Sequence, residues 1–133
     1  MRSLIVEDDF TSRNILQTFL SVYGECHIAT NGLEAVDAFK LAWEESQPYD
    51  LICMDIMMPE LNGQDALRMI RGIETDMGLS EDQKAKVIMA TALSASKEVV
   101  EAFYKGGASA YFVKPLDRAK IVQELKLLNL IAR

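Results

Sequence analysis

Apolar positions along the chain follow two alternating rhythms. Leu4-Ile5-Val6 is a short unbroken apolar run that ends in three acids, Glu7-Asp8-Asp9. After it, Ile15, Leu16, Phe19, Leu20 and Val22–Tyr23 recur at helical spacing until Gly24 stops the pattern. Cys26 to Ala29 reads as a short, weak strand. Asn31-Gly32 is a turn signal, with Thr30 or Asn31 as candidate N-cap, and Leu33, Val36, Ala38–Phe39 and Trp43 line the next helix up to Pro48. Residues 50–54 form a strand that ends at Asp55. A third helix carries Ala66, Leu67, Ile70 and Ile73 after Asn62-Gly63. Residues 74–85 are polar and acidic, either a helix extension or a loop. Val87-Ile88-Met89-Ala90 is a strand ending at Thr91, and a helix is expected over 96–105 before Gly106-Gly107. Ala110-Tyr111-Phe112-Val113 is a strand ending at Lys114-Pro115, and an amphipathic helix spans 118–128.

The order is βαβαβαβαβα, which packs as a parallel sheet with helices on both faces. Strands buried on both faces read as unbroken apolar runs, and 51–54 and 87–90 do. The 133 residues suit one domain over 1–133, and no repeat, low-complexity tract or linker interrupts them. Half the residues are hydrophobic and 26% are charged, so the chain can bury a core and is not a disordered one.

A net charge of −6 argues against nucleic acid as a partner, since phosphate backbones attract net cationic proteins. The charge is uneven. Residues 1–66 hold 12 acids and 3 bases, and residues 67–133 hold 8 acids and 11 bases, so any anion-attracting side comes from the second half. Cys26 and Cys53 lie in separate strand-like runs without a Cys-x-x-Cys spacing, which suits buried free thiols in a reducing compartment. No apolar run reaches membrane-spanning length and no signal-peptide core opens the chain, so a cytoplasmic location is expected.

The chemistry collects at the strand ends. The first, third, fourth and fifth strands end in Glu7-Asp8, Asp55, Thr91 and Lys114. In an open parallel sheet all these ends point to one edge, where ligands bind. Three carboxylates meeting there repel one another, and a hard divalent cation with oxygen ligands relieves the repulsion. Mg²⁺ keeps open positions for phosphate oxygens, and Mn²⁺ can substitute for it. A cation flanked by Lys114 and Thr91 suits phosphoryl transfer, with a carboxylate nucleophile forming an acyl phosphate.

At these residues the chain resembles the receiver domain of two-component response regulators. The matching stretches are Leu4-Ile5-Val6-Glu7-Asp8-Asp9, Met54-Asp55-Ile56-Met57-Met58-Pro59 with Asn62-Gly63, Ala90-Thr91-Ala92, and Gly107-Ala108 through Ala110-Tyr111-Phe112-Val113-Lys114-Pro115. The resemblance covers about residues 2–128. It implies a three-layer, flavodoxin-like (βα)5 fold with strand order 2-1-3-4-5. It implies Asp55 as phosphoacceptor, and Glu7, Asp8, Asp55 and the Met57 carbonyl as the Mg²⁺ set. Thr91 and Lys114 would hold the phosphoryl group together with the Ala92 backbone N–H, and Thr91 and Tyr111 would form the switch. Lys114–Pro115 is the expected cis bond. Asp9 reads instead as a helix N-terminal acid, and His27 and Trp43 as structural residues.

The partners that the resemblance implies are a sensor histidine kinase or histidine phosphotransfer domain, met by Phe10, Thr11, Arg13 and Asn14. A downstream protein would dock on the face of the fourth helix, fifth strand and fifth helix. Neither nucleic acid nor membrane is expected, and the chain is expected as a stand-alone monomer or weak dimer. It would catalyse only its own phosphorylation and dephosphorylation. Two apolar residues depart from the usual tuning positions, Met57 and Leu93. Neither can orient an attacking water, which implies a long-lived phosphoryl group. A flavin carrier of the same architecture would need a phosphate-cradling loop where three acids stand. A haloacid-dehalogenase-type phosphatase would need an acid where Met57 stands. The remaining alternative is a receiver-like interaction module that works without phosphorylation.

Overall fold

Side chains alternate across each strand, and this alternation divides the core in two. The computed structural model describes residues 1–56, 61–91, 101 and 104–132, with Thr91 described by its backbone. The strands are β1 (Ser3–Val6), β2 (Cys26–Ala29), β3 (Leu51–Asp55), β4 (Lys86–Thr91) and β5 (Ala110–Val113). They pair in parallel in the order β2-β1-β3-β4-β5. The helices described are α1 (Phe10–Leu20), α2 (Gly32–Glu44), α3 (Gly63–Asp76) and a C-terminal helix, Arg118–Leu127. This is the flavodoxin-like order expected from the resemblance.

Leu4 and Val6, Ile52 and Met54, and Val87 and Met89 point to one face, where Val36, Phe39, Leu67 and Ile70 of α2 and α3 cover them. Ile5, Leu51, Cys53 and Ile88 point to the other, beneath Leu16 and Leu20 of α1 and Ile121 and Leu125 of the C-terminal helix. Cys53 is thus fully enclosed, and burial pushes its thiol up to about 12. Cys26 departs from the expectation of a buried thiol: it is half-buried, because β2 is an edge strand.

Each helix begins where a side chain can accept from an otherwise unpaired backbone N–H. Asp9, Asn31, Asn62 and Asp117 accept from Ser12, Glu34, Asp65 and Ala119 respectively, each at 2.9 Å. Asp9 is therefore a cap, as its position suggested. Asn31 rather than Thr30 caps α2. The Thr30 N–H instead donates to Glu34 Oε1 at 2.7 Å, which pins the same turn from the other side.

The polar stretch 74–85 resolves into both expected forms. α3 continues to Asp76, and a short 3₁₀ turn, Glu81–Gln83, leads into β4. Glu74 in that stretch is fully buried. The Lys114–Pro115 peptide is cis. The helix expected over 96–105 lies largely outside the described residues.

Candidate phosphoacceptor site

Strand register brings the acids together. Val6 pairs with Met54 and Asp55 with Ala90, so Glu7, one residue past β1, stands beside Asp55 at the C-terminal edge of the sheet. Thr91 pairs with Val113, which sets Lys114 one residue beyond the same edge. Carboxylate oxygens of Glu7, Asp8 and Asp55 lie within 4.8 Å of one another. Lys114 Nζ donates to Glu7 Oε1 at 2.7 Å and lies 3.4 Å from Asp55 Oδ2. Residues more than a hundred positions apart in sequence therefore share one pocket.

The three acids differ in exposure. Glu7 is 1% exposed, Asp55 is 9% exposed, and Asp8 stands in solvent. Burial pushes the Glu7 carboxyl up to about 7. The Asp55 carboxylate beside it adds to the rise, and the Lys114 ammonium opposes it. Burial works against the charge on Lys114, but the Glu7 and Asp55 carboxylates outweigh it and hold its pKa above the ordinary lysine value.

One cation faces three carboxylates, and the account does not balance. Glu7 Oε2 is buried and has no hydrogen-bond partner. An orphaned buried carboxylate oxygen costs free energy comparable to a lost charged hydrogen bond. Either the proton that Glu7 keeps up to about pH 7 or a second cation satisfies this oxygen, and an all-oxygen donor set with one solvent-facing member suits Mg²⁺ or Mn²⁺. The residues present therefore fit the divalent ion that the sequence implied.

The walls come from close backbone approaches. Gly63 N–H donates to the Ile56 carbonyl at 3.0 Å as the chain turns from β3 into α3. A Cβ on Gly63 would stand 2.3 Å from the Asp55 carbonyl oxygen, so only glycine lets α3 start this near the end of β3. The Asn62-Gly63 pair stood out in the sequence ahead of the third helix; its contact with Asp55 did not. Likewise the direct Lys114–Glu7 pair was not foreseen, since the resemblance assigned Lys114 to the phosphoryl group alone. At the pocket rim Phe10 is exposed, with the Arg13 guanidinium 5.5 Å from its ring centre. Arg13 also donates to the Glu7 carbonyl at 3.3 Å.

Of the two residues expected to form the switch, Tyr111 is half-buried and meets Tyr104 edge to face at 5.9 Å. The Thr91 side chain, Met57, Ala92 and Leu93 lie outside what is described. The structural readings of His27 and Trp43 fit the surroundings: His27 Nδ1 lies 2.7 Å from the Tyr49 hydroxyl and Nε2 lies 3.1 Å from Glu25, and Trp43 packs against the core. Among the described residues no helix is long and apolar enough to cross a membrane.

Comparison with known proteins agrees with this geometry. Residues 3–126 match the family model described as response regulator receiver domain. The chain is 38% identical over 129 residues to the chemotaxis protein CheY of Thermotoga maritima, covering 93% of each chain. Among solved structures, it is similar to a CheX-CheY-BeF3-Mg²⁺ complex from Borrelia burgdorferi. There the TM-score is 0.79 and the identity 32%, over 97% of this chain and 89% of that one. It is also similar to a co-crystal of a Saccharomyces cerevisiae histidine phosphotransfer signaling protein with the receiver domain of its downstream response regulator. There the TM-score is 0.81 and the identity 28%, over 95% of this chain and 86% of that one. A parallel sheet in the order 2-1-3-4-5, with an acidic pocket and a lysine at its C-terminal edge, thus belongs to a CheY-like member of the response regulator receiver family of two-component signalling.

Proposed function

We propose that the chain, as a single receiver domain, accepts a phosphoryl group on Asp55 from a phosphohistidine donor and changes state in response. The observation that carries this reading is the meeting of Glu7, Asp8, Asp55 and Lys114 at one edge of the sheet, with Glu7 Oε2 left without a partner. Glu7, Asp8, Asp55 and the Met57 carbonyl are the residues that would hold Mg²⁺. When bound, the ion neutralises charge on the phosphoryl oxygens and on the crowded carboxylates.

In the transfer, an Asp55 oxygen attacks phosphorus as the phosphorus–nitrogen bond of the donor breaks. The electron pair of that bond leaves with the imidazole, and an acyl phosphate remains on Asp55. Lys114 is poised 3.4 Å from Asp55, and its ammonium would turn from Glu7 toward the incoming oxygens. Thr91 and the Ala92 N–H would bind the remaining phosphoryl oxygens. Lys114 is kept charged by its two carboxylate neighbours, so it needs no proton transfer to act.

The switch is a two-state equilibrium biased by the new charge. Thr91 moves toward the phosphoryl group, and Tyr111 turns into the space it leaves, parting from Tyr104. This alters the face of the fourth helix, β5 and the C-terminal helix, where a protein target docks. Exposed Phe10 with Arg13 offers the donor histidine domain a surface at the pocket rim. We place the protein in the cytoplasm, with no nucleic acid or membrane partner and no substrate turnover beyond its own phosphorylation and dephosphorylation.

The test is Asp55→Asn. Wild-type chain incubated with Mg²⁺ and acetyl phosphate is expected to form a hydroxylamine-sensitive phosphoprotein, and the variant none. Equal labelling of the variant would refute Asp55 as acceptor. Absence of labelling in both, with acetyl phosphate and with phosphohistidine donors, would leave the phosphorylation-independent interaction module as the function.

A further inference from the structure

The opposite edge of the sheet, at the N-terminal ends of β4 and β5, holds a second concentration of charge that the phosphoacceptor site does not use. A cavity of about 430 Å³ there is lined by Arg71, Lys84, Lys86 and Lys105, with Ser109 and a single acid, Glu81. Glu81 holds Lys84 and the buried Glu74 behind the lining holds Arg71, so Lys86 and Lys105 carry the positive excess here, in a chain of net charge −6. Clefts lined by one sign of charge concentrate the opposite ion.

The donors are arranged, not merely clustered. Arg71 is anchored by three bonds: Nε to the Gly107 carbonyl at 3.0 Å, and Nη1 to Glu74 at 2.6 Å and the Ala85 carbonyl at 2.8 Å. Its Nη2, with two hydrogens, has no protein partner among the described residues. Ser109 Oγ accepts from the Val87 N–H at 3.1 Å, which leaves its own hydrogen to donate. Lys86 and Lys105 have no carboxylate within ion-pair distance among the described residues, while Lys84 is held by Glu81 at 2.8 Å. Gly107, at φ +104°, lies directly over Arg71: a Cβ there would stand 2.9 Å from Arg71 Cγ. The Gly107 backbone therefore runs close along the Arg71 stem, and its carbonyl orients the guanidinium through Nε.

A second cavity, about 450 Å³, adjoins the first and shares Lys84 and Lys86 with it. Its walls include Trp43, Pro48 and Tyr49, with Asp50 and Asp82. Two acids disfavour a phosphate there; Tyr49 is buried against His27 and Arg2, so the half-buried Trp43 ring is the surface left for a flat uncharged group. We infer that the two cavities together form a binding site for a nucleoside polyphosphate. The phosphates lie against Arg71, Lys86, Lys105 and Ser109, and the base lies against Trp43. The site stands apart from the phosphoacceptor pocket and does not depend on the function proposed above.

Trp43 is the chain's sole tryptophan, so its fluorescence reads the base subsite directly. The full chain, in chelator to keep magnesium from bridging phosphates, is titrated with ATP, GTP and tripolyphosphate by calorimetry and by Trp43 emission. Saturable nucleotide binding with a change in Trp43 emission is expected, with tripolyphosphate binding more weakly and leaving the emission unchanged. Lys86→Glu with Lys105→Glu, both away from the core, should weaken nucleotide binding by about tenfold or more. The same double variant should still take up a phosphoryl group from acetyl phosphate, which separates the two sites. The inference is overturned if neither nucleotide saturates the chain up to on the order of 1 mM. It is equally overturned if the double variant binds as well as wild type, or if tripolyphosphate matches the nucleotides in affinity.

Discussion

Glu74 offers the sharpest test of how the scaffold behind the site is held. Its carboxylate is fully buried and accepts from Arg71 Nη1 at 2.6 Å and from the Ala85 N–H at 2.8 Å. This joins the end of α3 to Ala85, the residue just before β4. Glu74→Ala orphans the buried Ala85 N–H and leaves Arg71, 19% exposed, without its counter-charge. Breaking one side of a buried pair costs about 3–5 kcal/mol, and the partial exposure of Arg71 favours the lower end, about 3 kcal/mol. For a chain of 133 residues the unfolding entropy is about 0.28 kcal/mol/K, so Tm should fall by about 11 °C. Thermal and urea unfolding followed by circular dichroism measure this, and an unchanged urea slope would show that the unfolded state is not the cause. Glu74→Gln, which keeps an oxygen for Ala85, should lose less. Phosphoryl uptake below the transition should be unaffected, since Glu74 lies at the other edge of the sheet. A fall in Tm under about 4 °C for Glu74→Ala, equivalent to about 1 kcal/mol, would refute the reasoning.

Two further outcomes follow from the pocket. In chelator, Glu7 holds its proton in the folded chain up to about pH 7 but loses it near 4.5 when unfolded. The native state then binds more protons across that window, so its stability should fall as pH rises from 5 to 7.5. Glu7→Gln should flatten the slope, and Mg²⁺, which competes with that proton, should stabilise more at pH 8 than at pH 6. Urea midpoints across the series decide it, and a wild-type stability that rises through the window contradicts the assignment. Met57→Asn with Leu93→Glu places polar groups where an attacking water could be oriented. The phosphoryl lifetime on Asp55, followed by decay of the labelled protein, should shorten, and an equal or longer lifetime counts against the apolar pair as its cause.

Much of this was legible before any coordinates. Periodicity alone located all five strands and four of the described helices to within a few residues, because strands buried on both faces must be almost wholly apolar and covering helices must carry a stripe. Side chains with local duties were readable too: Asp9 as an acid at a helix N-terminus, and Asn31 as a candidate N-cap. The strand-end acids and Lys114 were visible as a set, since a parallel sheet sends every strand's C-terminus to one edge.

Pairing across distance was not legible. A sequence shows that Glu7 and Lys114 share an edge but not that they bond at 2.7 Å, nor that Glu7 Oε2 is left alone. Glu74 sat in a stretch that looked like solvent-facing polar chain, and only the packing of α3 against the start of β4 made it a buried anchor. The cationic cavity joins α3, the start of β4 and the approach to β5, segments with no common period in the sequence. Local composition determines which elements form, because propensity and hydrophobic period act between near neighbours. Register, burial of charge and the shape of cavities are decided by how those elements pack, where each contact depends on all the others.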